Sequence, residues 1–424
     1  VRPLRRALLL KAESGLKYDK INPFNSVNIR LVRHVAAHPG KLRCVWRVWG
    51  GARRCAKESF DKRSVVAAAP TTVILRLTHR CNQRCVQCGL WGENGALKDM
   101  GPNSLNNELS TRQFVSVIER IAPARPFISF FGGEPTLRGD LGQLVAAASS
   151  HGMLTTMNTN GLLLSEHAAE IVRAGLGFCK VSLDGPKDVN DRIRRGSDSY
   201  EKTVAGVREL LRERERQKSP TPIVQICSTV TNENQYDLIE IAQIADRLGV
   251  DLFALLFGIF TTEELVHRTN VRMKELLGVE STYWPGFVMD RSAMDIDAIR
   301  TQVEAIKRRN WRFKYKQYPD DTRVFDIDTH YNRPNEVHGR GLCIVPWFRM
   351  QVMPNGDVAL CEDTPDYIAG NILEQDPLDI WNGERYQTFR QTILDEGIFP
   401  VCARCSALYE IPHYKNDSLP RLVL

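Results

Sequence analysis

No apolar run in this 424-residue chain is long enough to cross a membrane; the longest, Leu252 to Phe260, has the length of a buried strand. Near the N-terminus, Ala7-Leu8-Leu9-Leu10 is too short for the apolar segment of a secretory signal, and no small-residue cleavage site follows it. Cysteine is sparse, since 11 residues over this length fall far below the density of a secreted disulfide scaffold. Seven of the 11 sit at metal-ligand spacings, which places the chain in a reducing cytosol. Acidic residues are scarce at one end only. Residues 1–66 hold 16 Lys or Arg against 4 Asp or Glu, a net of +12, so the remainder of this +7 chain carries −5. A hydrophobic content of 43% buries a sizeable core and excludes the disordered and fibrous classes.

What is present is concentrated in Thr71 to Trp91, TTVILRLTHRCNQRCVQCGLW, where a buried-type strand runs into a loop bearing Cys81, Cys85 and Cys88. Thiolates are the soft ligands of iron–sulfur clusters, and three of them hold three irons of a [4Fe–4S] cubane and leave the fourth open. The same spacing suits a zinc knuckle, although the nearby imidazole, His79, precedes the first cysteine instead of completing a paired set. Four further stretches follow: Phe130-Phe131-Gly132-Gly133-Glu134-Pro135, Asn158-Thr159-Asn160-Gly161, Ser182-Leu183-Asp184-Gly185 and Asp191-Arg192-Ile193-Arg194. Singly they read as a glycine turn, strand-ending Asx turns and a solvated charge pair.

In this order the five resemble the signature of the radical S-adenosylmethionine (SAM) superfamily. The resemblance implies that Cys81, Cys85 and Cys88 hold a cluster whose open iron is chelated by the amino and carboxylate groups of SAM. It further implies that Gly132, Gly133 and Glu134 meet the SAM amino group, that Asn160, Ser182 and Asp184 end SAM-binding strands, and that Arg194 reaches the SAM carboxylate. The chemistry agrees, because glycine lets backbone approach a ligand and a carboxylate suits an ammonium. The family often has an aromatic before the third cysteine, where its backbone contacts adenine. Here stands Gln87, which keeps the backbone contact and loses the ring.

From about Ser64 to Thr262 the chain repeats strand–helix units, the pattern of a parallel sheet covered by helices. Strands are expected at Val73–Leu77, Phe127–Phe131, Leu154–Asn158, Phe178–Leu183, Ile223–Val230 and Leu252–Phe257, and helices at Ser110–Ile121, capped by Ser110, and Tyr200–Arg214. The resemblance implies an α/β fold, a partial (β/α)6 barrel over residues 67–262. A small C-terminal α+β cluster-binding domain is expected over 336–424. Residues 263–335 are expected as a connector and cavity wall, in which Trp284, Trp311, Tyr315 and Tyr318 read equally as cavity or core. Cys179 and Cys227 read as small buried hydrophobes, and Cys44 and Cys55 as incidental thiols.

The basic segment 1–66 admits several readings. Arg2, Arg5, Arg6 and Lys11 interleave with Leu4, Leu8 and Leu9, as in a helix lying on an anionic membrane or docking its leucines on the protein. Lys41 to Trp49 alternates basic and apolar residues, as an edge strand or a nucleic-acid-binding strand does. Arg53-Arg54 suits a phosphorylated or lipid-phosphate substrate.

At the C-terminal end, which Gly341-Leu342-Cys343 opens, Met350 to Cys361 reads as a β-hairpin turning at Pro354-Asn355-Gly356, and a helix is expected around Trp381 to Leu394. Cys343 and Cys361 form C-x12-G-x4-C, followed by Cys402 and Cys405 as CxxC. This resembles the SPASM or Twitch extension of radical SAM enzymes. Since Cys405 is the last cysteine, the resemblance implies one auxiliary [4Fe–4S] cluster on these four residues; a four-cysteine zinc ribbon uses the same ligands.

The whole is similar to a cytoplasmic radical SAM oxidoreductase-type enzyme, fed by a low-potential flavodoxin- or ferredoxin-like donor. It would oxidise or rearrange a peptide, as a maturase does, or dehydrogenate or epimerise a sugar or lipid-linked small molecule. A non-enzymatic iron–sulfur or zinc redox sensor is the reading from a different class, and a nucleic-acid-modifying enzyme rests on the N-terminal charge alone. No catalytic acid or base is identified from sequence.

Overall fold

A computed structural model describes residues 26–37, 40–45, 47, 63–319, 325–337 and 343–409. The readings made for residues 1–25, Trp49, Arg53, Arg54, Cys55 and the Gly341-Leu342 pair lie outside the described residues. Strands β1 (Thr72–Arg76), β2 (Phe127–Phe131), β3 (Thr155–Thr159), β4 (Phe178–Ser182), β5 (Ile223–Val230) and β6 (Leu252–Phe257) pair in parallel in sequence order. These are the six expected strands. Alternation sends Val73 and Leu75 of β1, Ile128 and Phe130 of β2, and Cys179 and Val181 of β4 into the core beneath the covering helices. The residues between them, among them Arg76, Lys180 and Ser182, line the other face.

The helices are α1 (Ser26–Ala37), α2 (Thr111–Ile121), α3 (Leu141–Ser150), α4 (Leu164–Arg173), α5 (Lys187–Arg194), α6 (Ser199–Arg216) and α7 (Leu238–Leu248). Helix α2 starts with a capping box, Ser110 accepting from the Gln113 backbone and the Gln113 side chain accepting from the Ser110 backbone. Such a cap stabilises by about 1 kcal/mol. Its Phe114, Val117, Ile118 and Ile121 are fully buried at i, i+3, i+4 spacing.

Three features depart from the sequence reading. Residues 41–45 are helical instead of forming an edge strand, because Lys41 and Cys44, three apart, are both fully buried on one face. The connector expected at 263–335 contributes α8 (Glu263–Leu277), α9 (Ile296–Arg308), α10 (Ile327–Asn332) and a further parallel strand, β7 (Lys314–Tyr318), beside β6. The helix expected around Trp381 to Leu394 is two, α11 (Pro377–Trp381) and α12 (Glu384–Glu396), separated at Asn382-Gly383.

The C-terminal hairpin forms as read, with β8 (Arg349–Val352) antiparallel to β9 (Asp357–Ala359) and Gly356 in the turn at φ +92°. Strand β8 also pairs in parallel with β1, from Thr72 opposite Arg349 to Leu75 opposite Val352. With β10 (Ile368–Asn371) a ten-stranded sheet runs β10-β9-β8-β1-β2-β3-β4-β5-β6-β7. The strands that lead to Cys81 and to Cys361 therefore belong to one sheet. Among the described residues no helix is long and apolar enough to cross a membrane.

Candidate functional site

All five motifs lie at or beyond the carboxyl ends of β1 to β4, where open parallel sheets place ligands. The cysteine loop leaves β1 and is pinned to the turn after β2: Gly133 N donates to Thr78 O at 2.8 Å and Glu134 N to Arg80 O at 2.9 Å. A Cβ on Gly132, whose φ is +140°, would overlap the Thr78 carbonyl oxygen, and one on Gly133 the Arg80 carbonyl oxygen. The openness of these glycines, read from sequence as room for a ligand, is taken up by the cysteine loop itself.

Glu134 is fully buried. Its Oε1 accepts from Thr136 N at 3.0 Å, Thr136 Oγ1 at 2.6 Å and Thr159 Oγ1 at 2.7 Å, while Oε2 accepts from Asn160 N at 2.7 Å. Burial raises its pKa against the pull of these bonds. Glu134 thus ties the turn after β2 to the end of β3, and one Oε2 lone pair is left over. Asn160 Nδ2 reaches the loop, 2.7 Å from Asn82 Oδ1 and 4.0 Å from Cys81 Sγ.

Asp184, fully buried beyond β4, collects the remaining parts. Its Oδ1 accepts from Thr229 N at 2.8 Å; its Oδ2 accepts from Gln87 Nε2 at 2.7 Å and pairs with Arg194 Nη2 at 2.5 Å. Arg194 Nη1 lies 3.7 Å from Cys85 Sγ. Burial alone would lower the Arg194 pKa, but Asp184 and Cys85 outweigh it and the guanidinium is held charged. Gln87 therefore replaces the family's aromatic with a polar bridge, and its Oε1 is buried with no partner. Burial pushes the Cys81 thiol up to about 12 and raises Cys85, whose shift Arg194 opposes. Ser182 ends β4 half-buried. A cavity of about 290 Å³ opens beside the loop, with Val86, Gln87 and Cys88 on one side and Thr231, Asn232 and Arg291 on the other. A larger groove of about 580 Å³ lies along α12 and includes no residue of the five motifs.

Cys343, Cys361, Cys402 and Cys405 converge although 62 residues separate the first from the last. Burial pushes the Cys361 thiol up to about 12 and lifts Cys402 and Cys405 well above the usual thiol range. Cys343 and Cys361 also raise Cys402 and Cys405 through space, which places the four in one region, although among the described residues no three Cys, His, Asp or Glu side chains stand close enough together to hold a metal ion. Asp363 Oδ2 lies 3.9 Å from Cys405 Sγ, and burial raises this carboxyl to about 6.

Sequence reasoning missed the residues that hold these loops. Arg76, in the last position of β1, donates to Gln351 Oε1 at 3.2 Å and to Glu362 O at 2.7 Å, so it joins the strand that feeds Cys81 to the loop that follows Cys361. Arg404, inside the CxxC, is buried and donates to His330 O and Glu336 O, each at 2.7 Å. An arginine between cysteines gives no sequence signal of a buried fork. Cys179 is buried as expected, but Cys227 faces the inner wall half-buried, with Gln225 Nε2 3.1 Å from its sulfur. It lies on the strand face opposite core residues Val224 and Ile226.

Comparison with known proteins agrees with this arrangement. The radical SAM superfamily model matches residues 75–242, and SPASM, an iron–sulfur cluster-binding domain, matches residues 343–406. Among curated relatives, an AdoMet-dependent heme synthase of Methanosarcina barkeri is 26% identical over 80% of this chain and 88% of its own. The Fe-coproporphyrin III synthase of the same organism is 36% identical over 35% of this chain, and mycofactocin maturase MftC of Mycobacterium tuberculosis 32% identical over 43%. The chain spans only 34% and 44% of the lengths of those two proteins. The crystal structure of Streptococcus suis SuiB bound to S-adenosylmethionine shares the fold, with a TM-score of 0.55 at 16% identity over 84% of this chain and 75% of that one. The two matched domains, joined through one sheet, make the chain a radical SAM enzyme with a C-terminal SPASM domain, whose cofactors are S-adenosylmethionine and [4Fe–4S] clusters.

Proposed function

We propose that this enzyme abstracts a hydrogen atom from a carbon of its substrate and completes a net oxidation, with Cys81, Cys85 and Cys88 holding the SAM-binding cluster and Cys343, Cys361, Cys402 and Cys405 an auxiliary one. The observation that carries the reading is the junction at Asp184, where the second cysteine, the residue before the third, and the arginine of α5 meet within hydrogen-bond reach. The donors fit the group. Thiols that burial keeps protonated become ligands only when iron replaces their protons, and the unpartnered Gln87 Oε1 leaves an acceptor at the loop for a ligand N–H. When bound, the reduced cluster would supply one electron to the SAM sulfonium, giving methionine and a 5′-deoxyadenosyl radical able to take a hydrogen atom from an unactivated C–H bond.

The chain's own residues place and shelter that chemistry. Arg194, neutralised by Asp184, presents an oriented guanidinium beside the cysteine loop, suited to a carboxylate. Glu134 fixes the β2 turn and keeps one lone pair toward an ammonium. The C-terminal thiols, tied to β1 through Arg76, hold a centre able to accept the second electron that net oxidation requires. The maturase relatives favour a peptide as substrate. The second reading, a tetrapyrrole, is favoured by the heme synthase match that spans 80% of the chain.

Anaerobic reconstitution with iron and sulfide, followed by SAM and dithionite, tests the reading. It expects about eight irons per chain, four for each cubane, and release of 5′-deoxyadenosine. Bound zinc, or intact clusters without SAM cleavage, would refute it.

A further inference from the structure

The inner wall of the barrel carries a cation that no step above uses. On β4, Cys179 and Val181 point into the core, so Lys180 between them faces inward. It is half-buried, and among the described residues its side chain has no hydrogen-bond or ion-pair partner. Its electrostatic neighbour is the Cys227 thiol of β5, which also feels Asp184 and Arg194, so Lys180 shares its wall with the SAM motifs. Two residues before Ser182, it sits about 6–7 Å deeper in the barrel.

The strand alongside is also unsatisfied. Asn158 of β3 lies opposite Lys180 in register, and its Oδ1, like Thr156 Oγ1 two residues earlier, is buried without a partner. Buried polar groups are nearly always paired, so these two oxygens, beside an inward-facing ammonium without a partner, mark a place where a ligand completes the bonding. The acids nearby are already engaged. Asp184 is held by Arg194, Gln87 and Thr229, and Glu134 by Thr136, Thr159 and Asn160. Radical chemistry runs with water excluded, and an ammonium stripped of water needs a counter-charge that this wall does not provide.

We infer that Lys180, with the Asn158 amide beside it, anchors a carboxylate of the substrate inside the barrel. The inference rests on the proposed function in one respect, that the substrate enters from the carboxyl ends of the strands. A carboxylate matches the Lys180 ammonium, and an N–H beside that carboxylate on the substrate donates to Asn158 Oδ1, the acceptor left unpartnered. Substrates with an amide or ester in place of that carboxylate leave Lys180 buried and unpaired.

The test uses the full chain with its clusters reconstituted anaerobically. Lysines are acylated with a neutral N-hydroxysuccinimide ester, and labelling is read residue by residue by mass spectrometry. With SAM present, glutarate slows labelling of Lys180 several-fold and leaves exposed Lys218 unchanged, whereas glutaramide, of similar shape without the charge, does nothing. N-acetylglycinate, whose amide N–H stands beside its carboxylate, protects Lys180 several-fold better than glutarate, and in Asn158→Leu that advantage is lost. Equal labelling with and without glutarate overturns the proposal. So does full protection by SAM alone, which assigns Lys180 to the cofactor's carboxylate, or protection by inorganic phosphate and not by glutarate. Absence of 5′-deoxyadenosine release in the same preparation would refute the proposed function and leave the glutarate result standing on its own.

Discussion

Arg194 and Asp184 form a buried pair at 2.5 Å, and the same guanidinium lies 3.7 Å from the sulfur of Cys85. The pair is thus a structural support for the cysteine loop as well as the proposed cofactor contact. Replacing Arg194 by Met leaves the fully buried Asp184 with only neutral partners. Loss of one member of a buried pair costs about 3–5 kcal/mol. A denaturant midpoint lowered to match is expected; an unchanged midpoint would mean that Asp184 is solvated or protonated without the arginine.

Gly133 and Gly139 provide a matched pair of substitutions. A Cβ at Gly133 collides with the Arg80 carbonyl, whereas at Gly139 it meets nothing within 4 Å. Gly133→Ala is expected to displace the cysteine loop and to lower iron retained by the N-terminal set, while Gly139→Ala retains it. Iron analysis after gel filtration checks both.

The six barrel strands were legible because each is a compact apolar or alternating run between turn residues, as Ile223–Val230 is. Strand β7, KYKQY, was not, because Lys314, Lys316 and Tyr318 share one face and Tyr315 and Gln317 the other, which gives neither an apolar run nor an apolar–polar alternation. The pairing of β8 with β1 joins residues 277 apart in sequence, and nothing local encodes it. The cysteines were legible from spacing. Arg76, Arg404 and Lys180 were not, since a buried or inward cation looks the same in sequence as a solvated one.

Lys41 gives a pH dependence of definite sign. It is fully buried, with Nζ 2.8 Å from His34 Nε2 and 2.9 Å from Ser149 Oγ, and burial pulls its pKa down to about 8. An unfolded lysine titrates near about 10.4. Between those values the unfolded chain binds more protons than the folded one, so stability rises with pH. The stability of the wild-type chain relative to Lys41→Met is expected to be flat from pH 6 to about 8 and to rise above it. Chemical denaturation across that range measures it, and a relative stability that falls above pH 8 contradicts the burial.

The two cysteine sets are expected to titrate as independent iron stores. Alanine at Cys343, Cys361, Cys402 and Cys405 together lowers iron from about eight to about four per chain, and further replacement of Cys81, Cys85 and Cys88 removes the rest. Loss of all iron on replacing the C-terminal set alone would show that the N-terminal loop depends on the auxiliary one for its shape.

The central claim is that Cys81, Cys85 and Cys88 hold a cluster with an iron open to SAM. It is tested most directly by electron paramagnetic resonance of the chain lacking the four C-terminal cysteines, reduced with dithionite, before and after SAM is added. The account predicts a single reduced [4Fe–4S] signal whose g-values shift on SAM addition. A signal that SAM leaves unchanged, or no iron–sulfur signal at all, would contradict it.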